Sequence, residues 1–233
     1  MLSGIDSSSS KIINGGRMNF KELSYSNETE WHNIRRKHIG GSDVSVIMGL
    51  NPYNSDIQRL WRIKTGREQQ EDISNNPAIV RGVKSEDLLI EHFKINNPDY
   101  DVGKLEKSLE SLKFPFMIAN LDGILEHQEM GKGILEIKTA TCHSYGIYKL
   151  KWKNEIPIEY YLQIQHYLAV TGWDYAILYA DIKLAFADNK HEIRQYFIER
   201  DETDLSEIIK KEAEFYEYIK NDEQPPFVKK IAI

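Results

Sequence analysis

The chain contains very little cysteine and no long apolar run. Cys142 is its only cysteine, which excludes an intramolecular disulfide framework, an iron–sulfur cluster held by four thiolates and a cysteine-rich zinc site. No stretch approaches the roughly 20 apolar residues of a membrane-spanning helix, and the N-terminal residues lack the apolar core of a signal peptide. We therefore expect a cytoplasmic protein with no membrane partner.

Positive charge is also scarce. The sequence has 30 lysines and arginines against 36 aspartates and glutamates, so the formal net charge is −6. A nucleic-acid partner would have to be held by a local basic surface, because the average charge repels phosphates. The sequence also lacks a P-loop, a His-Glu-x-x-His zinc motif and a dinucleotide-binding loop. The chain therefore has no ATP motor of its own.

The sequence does have the composition of a folded domain. Its 233 residues are 41% hydrophobic and 28% charged, which excludes a disordered or fibrous chain. Residues 1–20 stand apart, because the serine run 7–10 and the Asn-Gly-Gly at 14–16 are typical of linkers. We expect a flexible N-terminal segment or a vector-derived remnant there, with Met18 as a candidate natural start. Residues 21–233 are predicted to form one domain.

Capping signals and hydrophobic periodicity predict a helical half followed by a mixed half. The predicted helices are 27–38, 42–49, 55–66, 77–95, 158–170 and 203–220. The predicted strands are 102–112, 114–119, 121–126, 133–140, 175–182 and 192–198. This order of elements is typical of an α/β or α+β domain.

The predicted helix 77–95 has a charged residue on its apolar face. That face is formed by Ile79, Val83, Ile90 and Phe93. A step of 100° per residue places Glu86 in the middle of the face. A carboxylate in apolar surroundings is costly unless a partner compensates its charge. Glu86 is therefore either a core acid paired with lysine or arginine, or part of a functional site.

A predicted hairpin with its turn near residues 129–130 brings two further carboxylates together. Asp122 in the first strand lies opposite Glu136 or Lys138 in the second. Glu136 and Lys138 share one face, while the intervening Ile137 points to the core, because side chains alternate along a strand. Opposed carboxylates repel each other. A divalent cation would remove that repulsion and would explain the arrangement.

Plainer explanations fit the separate parts of this pattern. Asp122-Gly123 is a common hairpin-turn sequence, although the next turn begins so soon that almost no strand would remain between the two. Glu136-Ile137-Lys138 shows the alternation of any half-exposed strand. The combination is more specific: a helix acid, a strand aspartate, and Glu-x-Lys 14 residues after that aspartate.

Phosphodiester hydrolysis is the chemistry that this combination suits. Three carboxylates, a backbone carbonyl and water make a site for Mg²⁺ or Mn²⁺. One ion polarises the phosphoryl oxygen and acidifies its bound water, and a second ion can stabilise the leaving oxygen. Lys138 can orient the attacking water, help to deprotonate it, or neutralise charge on the phosphorane.

The signature of the PD-(D/E)XK nuclease superfamily resembles Asp122 followed by Glu136-Ile137-Lys138. The superfamily's name places a proline before the aspartate, whereas here a glycine follows Asp122. Further segments resemble the lambda-exonuclease or YqaJ-type viral recombinase family in order and approximate spacing. They are Trp31-His32-Asn33-Ile34-Arg35, Ile39-Gly40-Gly41-Ser42-Asp43, Arg81-Gly82-Val83-Lys84-Ser85-Glu86, Gln163-Ile164-Gln165-His166-Tyr167 and Val170-Thr171-Gly172-Trp173. The resemblance covers about residues 24–200. It implies a single nuclease domain with a restriction-endonuclease-like α/β (α+β) core, in which helices flank a central mixed sheet.

The resemblance also implies residue roles. The metal ligands would be Glu86, Asp122, Glu136 and the carbonyl of Ile137. Lys138 would be the catalytic lysine, acting with Asp122 and Glu136. Gln163 would hold the active-site water or an oxygen on the scissile side. The implied cofactor is Mg²⁺ or Mn²⁺, as two ions.

By the same resemblance, Arg35 and Ser42 would bind the 5′-terminal phosphate of the strand being degraded. Ser42 opens a predicted helix after two glycines, so backbone N–H groups can converge there on an anion. Arg35 offers a bidentate fork for phosphate. The plainer explanations are a basic helix C-terminus at residues 35–38 and ordinary helix-stop and capping chemistry at residues 40–42.

Three other features stay open at this point. His166 is expected on the surface of its helix, although an imidazole can also serve as a metal ligand or base. Cys142 is expected to be a small core residue. Lys149-Leu150-Lys151-Trp152-Lys153 is basic with an interleaved aromatic residue. That segment either tracks a nucleic-acid backbone or forms a solvated loop.

The function that the resemblance implies is a Mg²⁺-dependent exonuclease acting on the ends of double-stranded DNA. It would degrade the 5′ strand in the 5′→3′ direction and leave 3′ overhangs for recombination by a phage or prophage in a bacterial host. Its partners would be a single-strand annealing protein and two further copies in a ring-shaped homotrimer. The alternatives are a PD-(D/E)XK endonuclease of restriction or repair type, a non-catalytic DNA-binding module, and a structural or phage assembly protein.

Overall fold

Two mixed β-sheets with helices packed on them form the part of the chain that the computed structural model describes, residues 19–52 and 55–227. The strands are β1 Phe20–Leu23, β2 Ile39–Gly40, β3 Tyr100–Gly103, β4 Ser108–Ser111, β5 Met117–Ala119, β6 Gly123–His127, β7 Gly131–Cys142, β8 Tyr175–Leu184 and β9 Lys190–Glu199. The helices are α1 Glu28–Lys37, α2 Gly41–Ile47, α3 Ile57–Lys64, α4 Pro77–Asn96, α5 Tyr145–Tyr148, α6 Ile158–Thr171 and α7 Glu202–Lys220. A π-helical turn, Lys149–Lys153, follows α5.

The larger sheet has the strand order β3-β6-β7-β8-β9. Strands β7 and β8 pair in parallel, and every other neighbouring pair in this sheet is antiparallel. The smaller sheet has the order β1-β4-β5-β2, with β2 parallel to β5. The expected α/β (α+β) core, a central mixed sheet with helices on its faces, is therefore confirmed. No helix within residues 19–52 and 55–227 is both long and apolar enough to cross a membrane.

Helices cover both faces of the larger sheet around β7 and β8. On one face, Ile164 and Leu168 of α6 belong to the same core cluster as Ile134 of β7 and Leu178 of β8. On the other face, the core cluster is made from α4 and the opposite side of the same strands, and it includes Leu89, Ile90, Phe93, Leu135, Ile137 and Ile177. A strand with two covered faces buries its side chains in both directions, so a charged residue in the middle of β7, such as Glu136, lies inside the molecule.

Several predicted helix boundaries agree with local chemistry. Asn27 caps α1, and its side-chain oxygen accepts from the Glu30 N–H at 2.9 Å. Pro77 is the first residue of α4, behind the N-cap Asn76. Gly172 ends α6 with a φ of 72°, in the left-handed region that favours glycine.

Other predictions about the elements are wrong. The single strand predicted at 102–112 is two strands in different sheets, since β3 pairs with β6 while β4 pairs with β1 and β5. The alternating apolar pattern shows only that a segment is extended, so it gives no sign that the chain changes sheets. The solvated loop considered for Lys149–Lys153 is a helical turn. Residues 1–18 of the predicted N-terminal segment lie outside the described residues, and its residue 20 begins β1.

Two corrections concern side chains near the predicted site. Val83 does not lie on the buried face of α4, because 70% of it is exposed. The first turns of α4 approach β7 through Gly82, where an added Cβ would lie 3.5 Å from Thr139 Oγ1. Ser42 does not cap α2, since the helix already begins at Gly41. The capping contact comes from Asp43, whose Oδ2 accepts from the Gly40 N–H at 2.9 Å.

Candidate active site

Strand β7 turns Glu136 and Lys138 toward α6. Only 1% of Glu136 is exposed, so the two residues do not form a solvated strand face. Lys138 Nζ lies 2.5 Å from Glu136 Oε1. Gln163 Nε2 on α6 donates to the same carboxylate oxygen at 2.7 Å. The predicted catalytic lysine, one predicted metal ligand and the predicted glutamine therefore meet at one atom.

Asp122 comes immediately before β6 and faces the same cluster. Gly123 pairs with Leu135, so the next position of the antiparallel register sets Asp122 beside Glu136. Asp122 Oδ2 accepts from the Ile137 N–H at 2.8 Å. Because the N–H and C=O of one strand residue point the same way, the Ile137 carbonyl also faces the Asp122 side. Asp122-Gly123 is therefore the start of a strand and not a hairpin turn.

Glu86 reaches this cluster from α4, on the other side of β7. It is half-buried, and its Oε1 lies 3.5 Å from Lys104 Nζ. Burial and then the Asp122 carboxylate raise the pKa of Glu86, and Lys104 offsets part of that rise. Glu86 is accordingly partnered by a lysine, as the core-acid explanation requires, and it also interacts with the other carboxylates.

The cluster concentrates negative charge. Burial and the neighbouring Glu136 raise the pKa of Asp122 to about 7, against a partial lowering by Lys138 and the Ile137 N–H. Burial also raises the pKa of Glu136. Burial lowers the pKa of Lys138, but Glu136 and Asp122 outweigh it, and the net shift is upward. We call Glu86, Asp122, Glu136 and Lys138 the carboxylate cluster.

The donor set of the carboxylate cluster fits a divalent cation. Glu136 Oε2 is buried and has no hydrogen-bond partner among the described residues, and an oxygen in that condition favours a cation. In the structure the two buried carboxylates have protein partners: Glu136 is bonded to Lys138, and Asp122 accepts from the Ile137 N–H. Accordingly, no group of three His, Cys, Asp or Glu side chains in the described ranges is arranged to hold a metal ion.

A second candidate feature lies where α1, β2 and α2 meet. Arg35 Nη2 donates to the exposed Ser42 Oγ at 3.0 Å. The Arg35 guanidinium carbon lies 4.7 Å from the centroid of the Trp31 ring, and this contact restricts the side chain. We call Arg35, Gly41 and Ser42 the anion cradle. The structure thus brings together the two residues predicted to bind a terminal phosphate.

The anion cradle packs directly on the helix that serves the carboxylate cluster. A Cβ at Gly41 would lie 2.7 Å from Tyr167 Cε1 and 2.8 Å from Gln163 Cγ, distances that real Cβ atoms do not adopt. Gln163 also donates to the Tyr167 hydroxyl at 3.1 Å. One turn of α6 therefore contacts the cradle and the carboxylate cluster at once, and Gly41 permits that approach.

A buried ion pair beneath the anion cradle was not found by sequence reasoning. Lys64 Nζ at the end of α3 lies 2.6 Å from Asp43 Oδ2. The same ammonium donates to the carbonyls of Arg35 at 2.8 Å and His38 at 2.7 Å. Burial raises the pKa of Asp43, but Lys64 and Arg35 outweigh it and leave the pKa below its usual value. Asp43 lies in a motif that the sequence singles out, whereas nothing local distinguishes Lys64.

His166 does not lie on the helix surface as expected. It is fully buried, its Nδ1 is 2.7 Å from Glu212 Oε1 on α7, and its Nε2 is 2.9 Å from the Ile118 carbonyl oxygen. Burial lowers the pKa of His166, but the neighbouring Glu212 carboxylate outweighs it and raises the pKa. The imidazole thus ties α6 to α7 and β5 and faces away from the carboxylate cluster. Cys142 is buried, as expected.

The structure also shows that Arg81 bonds helix α4 to the larger sheet, a contact that the sequence does not predict. Its guanidinium donates to the Ala140 carbonyl at 3.2 Å and lies 2.6 Å from Asp181 Oδ2 on β8. Asp181 in turn lies 2.8 Å from His191 Nδ1 on β9. These bonds fix the start of α4 to β7 and β8. They thereby set the position from which Glu86, further along the same helix, approaches the cluster.

The chain is similar in sequence to known proteins. Residues 30–174 match the YqaJ-like viral recombinase domain. The uncharacterized protein YqaJ of Bacillus subtilis strain 168 is 35% identical over 189 residues, which are 80% of this chain and 54% of YqaJ. The chain therefore spans about half the length of that curated relative.

Two solved structures share the fold. The alkaline exonuclease LHK-Exo from Laribacter hongkongensis superposes with a TM-score of 0.61 at 20% identity, covering 83% of this chain and 93% of that one. A phage related exonuclease from Haemophilus somnus 129PT gives a TM-score of 0.53 at 14% identity, covering 82% and 99%. The family match covers more than half of the sequence, and it confirms the resemblance found in the motifs. The chain belongs to the YqaJ-like viral recombinase domain family.

Proposed function

We propose that the chain is a Mg²⁺-dependent exonuclease that degrades the 5′ strand of linear double-stranded DNA in the 5′→3′ direction. The observation that carries this proposal is the contact of one turn of α6 with both functional features. Gln163 donates to Glu136 of the carboxylate cluster, and the same side chain packs on Gly41 of the anion cradle. This adjacency supports the proposal, because the residues proposed for hydrolysis lie next to those proposed to bind an anionic terminus.

Two ions of Mg²⁺ or Mn²⁺ would be held by Glu86, Asp122, Glu136 and the Ile137 carbonyl. Hard oxygen donors of this kind suit either ion. When bound, the ions would offset the carboxylate charge, polarise the phosphoryl oxygen and acidify water. The unpartnered Glu136 Oε2 and the raised pKa of Asp122 support this assignment.

The protein's own groups would orient the reaction. Lys138, held by Glu136 and lying 5.2 Å from the Tyr160 ring centroid, would donate to the attacking water or to a non-bridging phosphoryl oxygen. The Gln163 amide, fixed between Glu136 and Tyr167, would hold the water in line with the scissile bond. These groups are preorganised, so little reorganisation is needed at the moment of reaction.

The anion cradle would set the direction in which the strand is digested. Arg35 and the exposed Ser42 would bind the 5′-terminal phosphate, since a guanidinium fork and a hydroxyl are good phosphate donors. The phosphodiester that follows the terminal nucleotide would then lie at the carboxylate cluster. Each cycle would release a 5′ nucleotide and leave a longer 3′ overhang, the substrate of phage-type homologous recombination in the cytoplasm of a bacterial host.

The assembly partners are part of the same proposal. The family resemblance implies a ring-shaped homotrimer that encircles DNA, together with a single-strand annealing protein that binds the 3′ overhang. Light scattering and the length distribution of digestion products test the ring. A monomer that digests distributively would remove it and would leave the exonuclease assignment standing.

The decisive experiment uses linear duplex DNA labelled at one end, beside covalently closed circles, with Mg²⁺ and then with EDTA. We expect loss of only the 5′-phosphorylated strand of the linear DNA, and we expect EDTA to stop it. Lys138→Ala should reduce cleavage by at least about a thousandfold while DNA binding survives. Lys132→Ala, an exposed lysine on the same strand, is the matched control and should leave cleavage unchanged.

The other outcomes point to different functions. Cutting of the closed circles would identify an endonuclease, because an enzyme that needs ends cannot act on them. Binding without cleavage in any divalent metal would indicate a non-catalytic DNA-binding module. Neither binding nor cleavage, with no thermal stabilisation by Mg²⁺, would favour a structural or assembly protein.

A further inference from the structure

One segment of this acidic chain is strongly basic. Residues 137–154 contain lysine at 138, 149, 151 and 153 and no aspartate or glutamate, although the whole chain has a net charge of −6. The segment includes α5 and the π-helical turn, which together span residues 145–153. We call residues 145–153 the basic turn. π-Helical turns are rare and frequently lie at functional sites.

The basic turn is held rigidly from beneath. Trp152 and Tyr148 are almost fully buried. The Trp152 ring centroid lies 5.7 Å from that of Tyr160 and 6.4 Å from that of Tyr196. The Tyr196 hydroxyl also donates to the Trp152 carbonyl. Aromatic anchors therefore fix the backbone, so the groups on its outer surface have defined positions.

The outer surface of the basic turn presents ammonium groups beside apolar side chains. Lys149 and Lys153 are exposed, and Lys151 Nζ lies 3.9 Å from Glu159. Lys153 Nζ donates to the Tyr145 hydroxyl at 3.2 Å. Leu150, between these lysines, is 73% exposed. A solvated turn has no need of an exposed leucine amid three lysines, whereas a nucleic acid offers both phosphates and apolar sugar and base surface.

The basic turn borders the carboxylate cluster. The Tyr160 ring lies between them, with its centroid 5.2 Å from Lys138 Nζ and 5.7 Å from the Trp152 ring centroid. A duplex with its scissile phosphate at Lys138 therefore extends close to the lysines of the turn. Neutralised phosphates release counterions, which gives such contacts their affinity.

We propose that the basic turn is a docking surface for the phosphate backbone of duplex DNA beside the scissile nucleotide. Its three lysines contact successive phosphates, and Leu150 packs on the sugar edge between them. The proposal rests on the proposed function, which makes DNA the substrate. It goes beyond that function because it assigns duplex affinity to a segment that lies outside both the carboxylate cluster and the anion cradle.

The test compares two triple variants with the same change in charge. The first variant removes the ammonium groups of the basic turn by combining Lys149→Ala, Lys151→Ala and Lys153→Ala. Lys210→Ala, Lys211→Ala and Lys220→Ala remove three lysines of α7, each paired with a glutamate three residues away. Affinity for a blunt duplex is measured in EDTA from about 50 to about 200 mM salt. The logarithm of the binding constant falls linearly with the logarithm of the salt concentration, and each phosphate contact adds about 0.9 to the steepness of that line.

We expect the basic-turn variant to bind the duplex at least about tenfold more weakly than the wild type at low salt. The steepness of its salt dependence should fall by about 2 to 3. The α7 variant should bind like the wild type. An equal loss in both variants, or an unchanged slope in the basic-turn variant, would overturn the proposal. Thermal unfolding checks the fold, and the single variant Lys149→Glu replaces the triple variant if the latter unfolds. Wild-type chain that binds no duplex would instead refute the proposed function. Cleavage that needs Lys138 but not the basic turn would refute this inference alone.

Discussion

The carboxylate cluster and the anion cradle both contact helix α6 but differ in how their charges are balanced. In the cluster, Asp122 and Glu136 are crowded together, and their pKa values are raised. Beneath the cradle, Asp43 is neutralised by the buried ammonium of Lys64, and the pKa of Asp43 is lowered. The ion pair beneath the cradle is complete without a ligand, whereas the crowded carboxylates of the cluster would be stabilised by the proposed cation.

The difference follows from the elements that carry each region. The cluster is built on β7, where hydrogen bonds to β6 and β8 hold the backbone against repulsion between side chains. The cradle is built from the ends of short helices, which have no such ladder and depend on Lys64 to join them through the carbonyls of Arg35 and His38. The strand ladder can hold the crowded carboxylates in place, while the helix junction is joined by a neutralised ion pair. Substitutions should therefore affect the two regions in opposite directions.

The largest effect is expected for Asp122→Asn. Cleavage should fall by at least about a thousandfold if Asp122 is the metal ligand proposed above. In EDTA the same variant should be more stable than the wild type by an amount on the order of 2 kcal/mol, because an amide removes the repulsion from Glu136 and still accepts from the Ile137 N–H. Thermal unfolding and the cleavage assay with linear duplex measure the two effects.

The stability difference between Asp122→Asn and the wild type should depend on pH. The folded-state pKa of Asp122 is raised to about 7, so the wild type loses stability as the pH rises from the unfolded value of about 4 through that range. The advantage of Asp122→Asn should therefore grow over the same interval and level off above it. Asp43→Asn is the matched variant in the ion pair beneath the anion cradle. It leaves Lys64 buried without a charged partner, so it should lower stability at every pH above about 4. A destabilised Asp122→Asn protein would refute the contrast.

A smaller effect is expected for Arg35→Ala. Loss of one charge-assisted bond to a phosphate is worth about 1.5 to 3 kcal/mol. Digestion of 5′-phosphorylated ends should therefore slow by roughly ten- to a hundredfold, with a much weaker effect on 5′-hydroxyl ends. Arg36→Ala, the next residue on the same helix, is the control and should digest both kinds of end normally. Equal slowing on both ends would show that the cradle does not bind the terminal phosphate.

The sequence predicts the carboxylate cluster well because strands encode their faces locally. The alternation along β7 and the register of the hairpin put Asp122 opposite Glu136, and no distant contact is needed for that inference. The resemblance was needed for Arg35 and Ser42. The catalytic and binding roles of all these residues stay predictions, since the structure shows their positions and not their chemistry.

What sequence reasoning missed depends on partners that are distant along the chain. Lys64 pairs with Asp43 only because α3 folds back under α2, and His166 is buried only because α7 brings Glu212 to it. The break between β3 and β4 depends on which sheet each strand joins. Periodicity shows which side of an element is buried, but it does not identify the neighbour. A lone lysine at a helix end or a histidine on a helix therefore gives no local sign of its partner.

The smallest effect is expected for Gly41→Ala, which tests whether the two regions are mechanically joined. The new methyl group would lie within 2.8 Å of Tyr167 and Gln163, so α2 and α6 must move apart at a cost of about 1 to 3 kcal/mol. Cleavage of 5′-phosphorylated ends should fall several-fold, because the terminal phosphate is displaced relative to Gln163. Gly103→Ala on β3 is the control, since a Cβ at that position would have no atom within 4 Å and the residue lies outside the cluster, the cradle and the basic turn. If Gly41→Ala lowers the unfolding temperature but leaves cleavage and end preference unchanged, the cradle and the cluster act independently. A loss of both together shows that the distance between them, set by a glycine with no side chain, positions the first phosphodiester for hydrolysis.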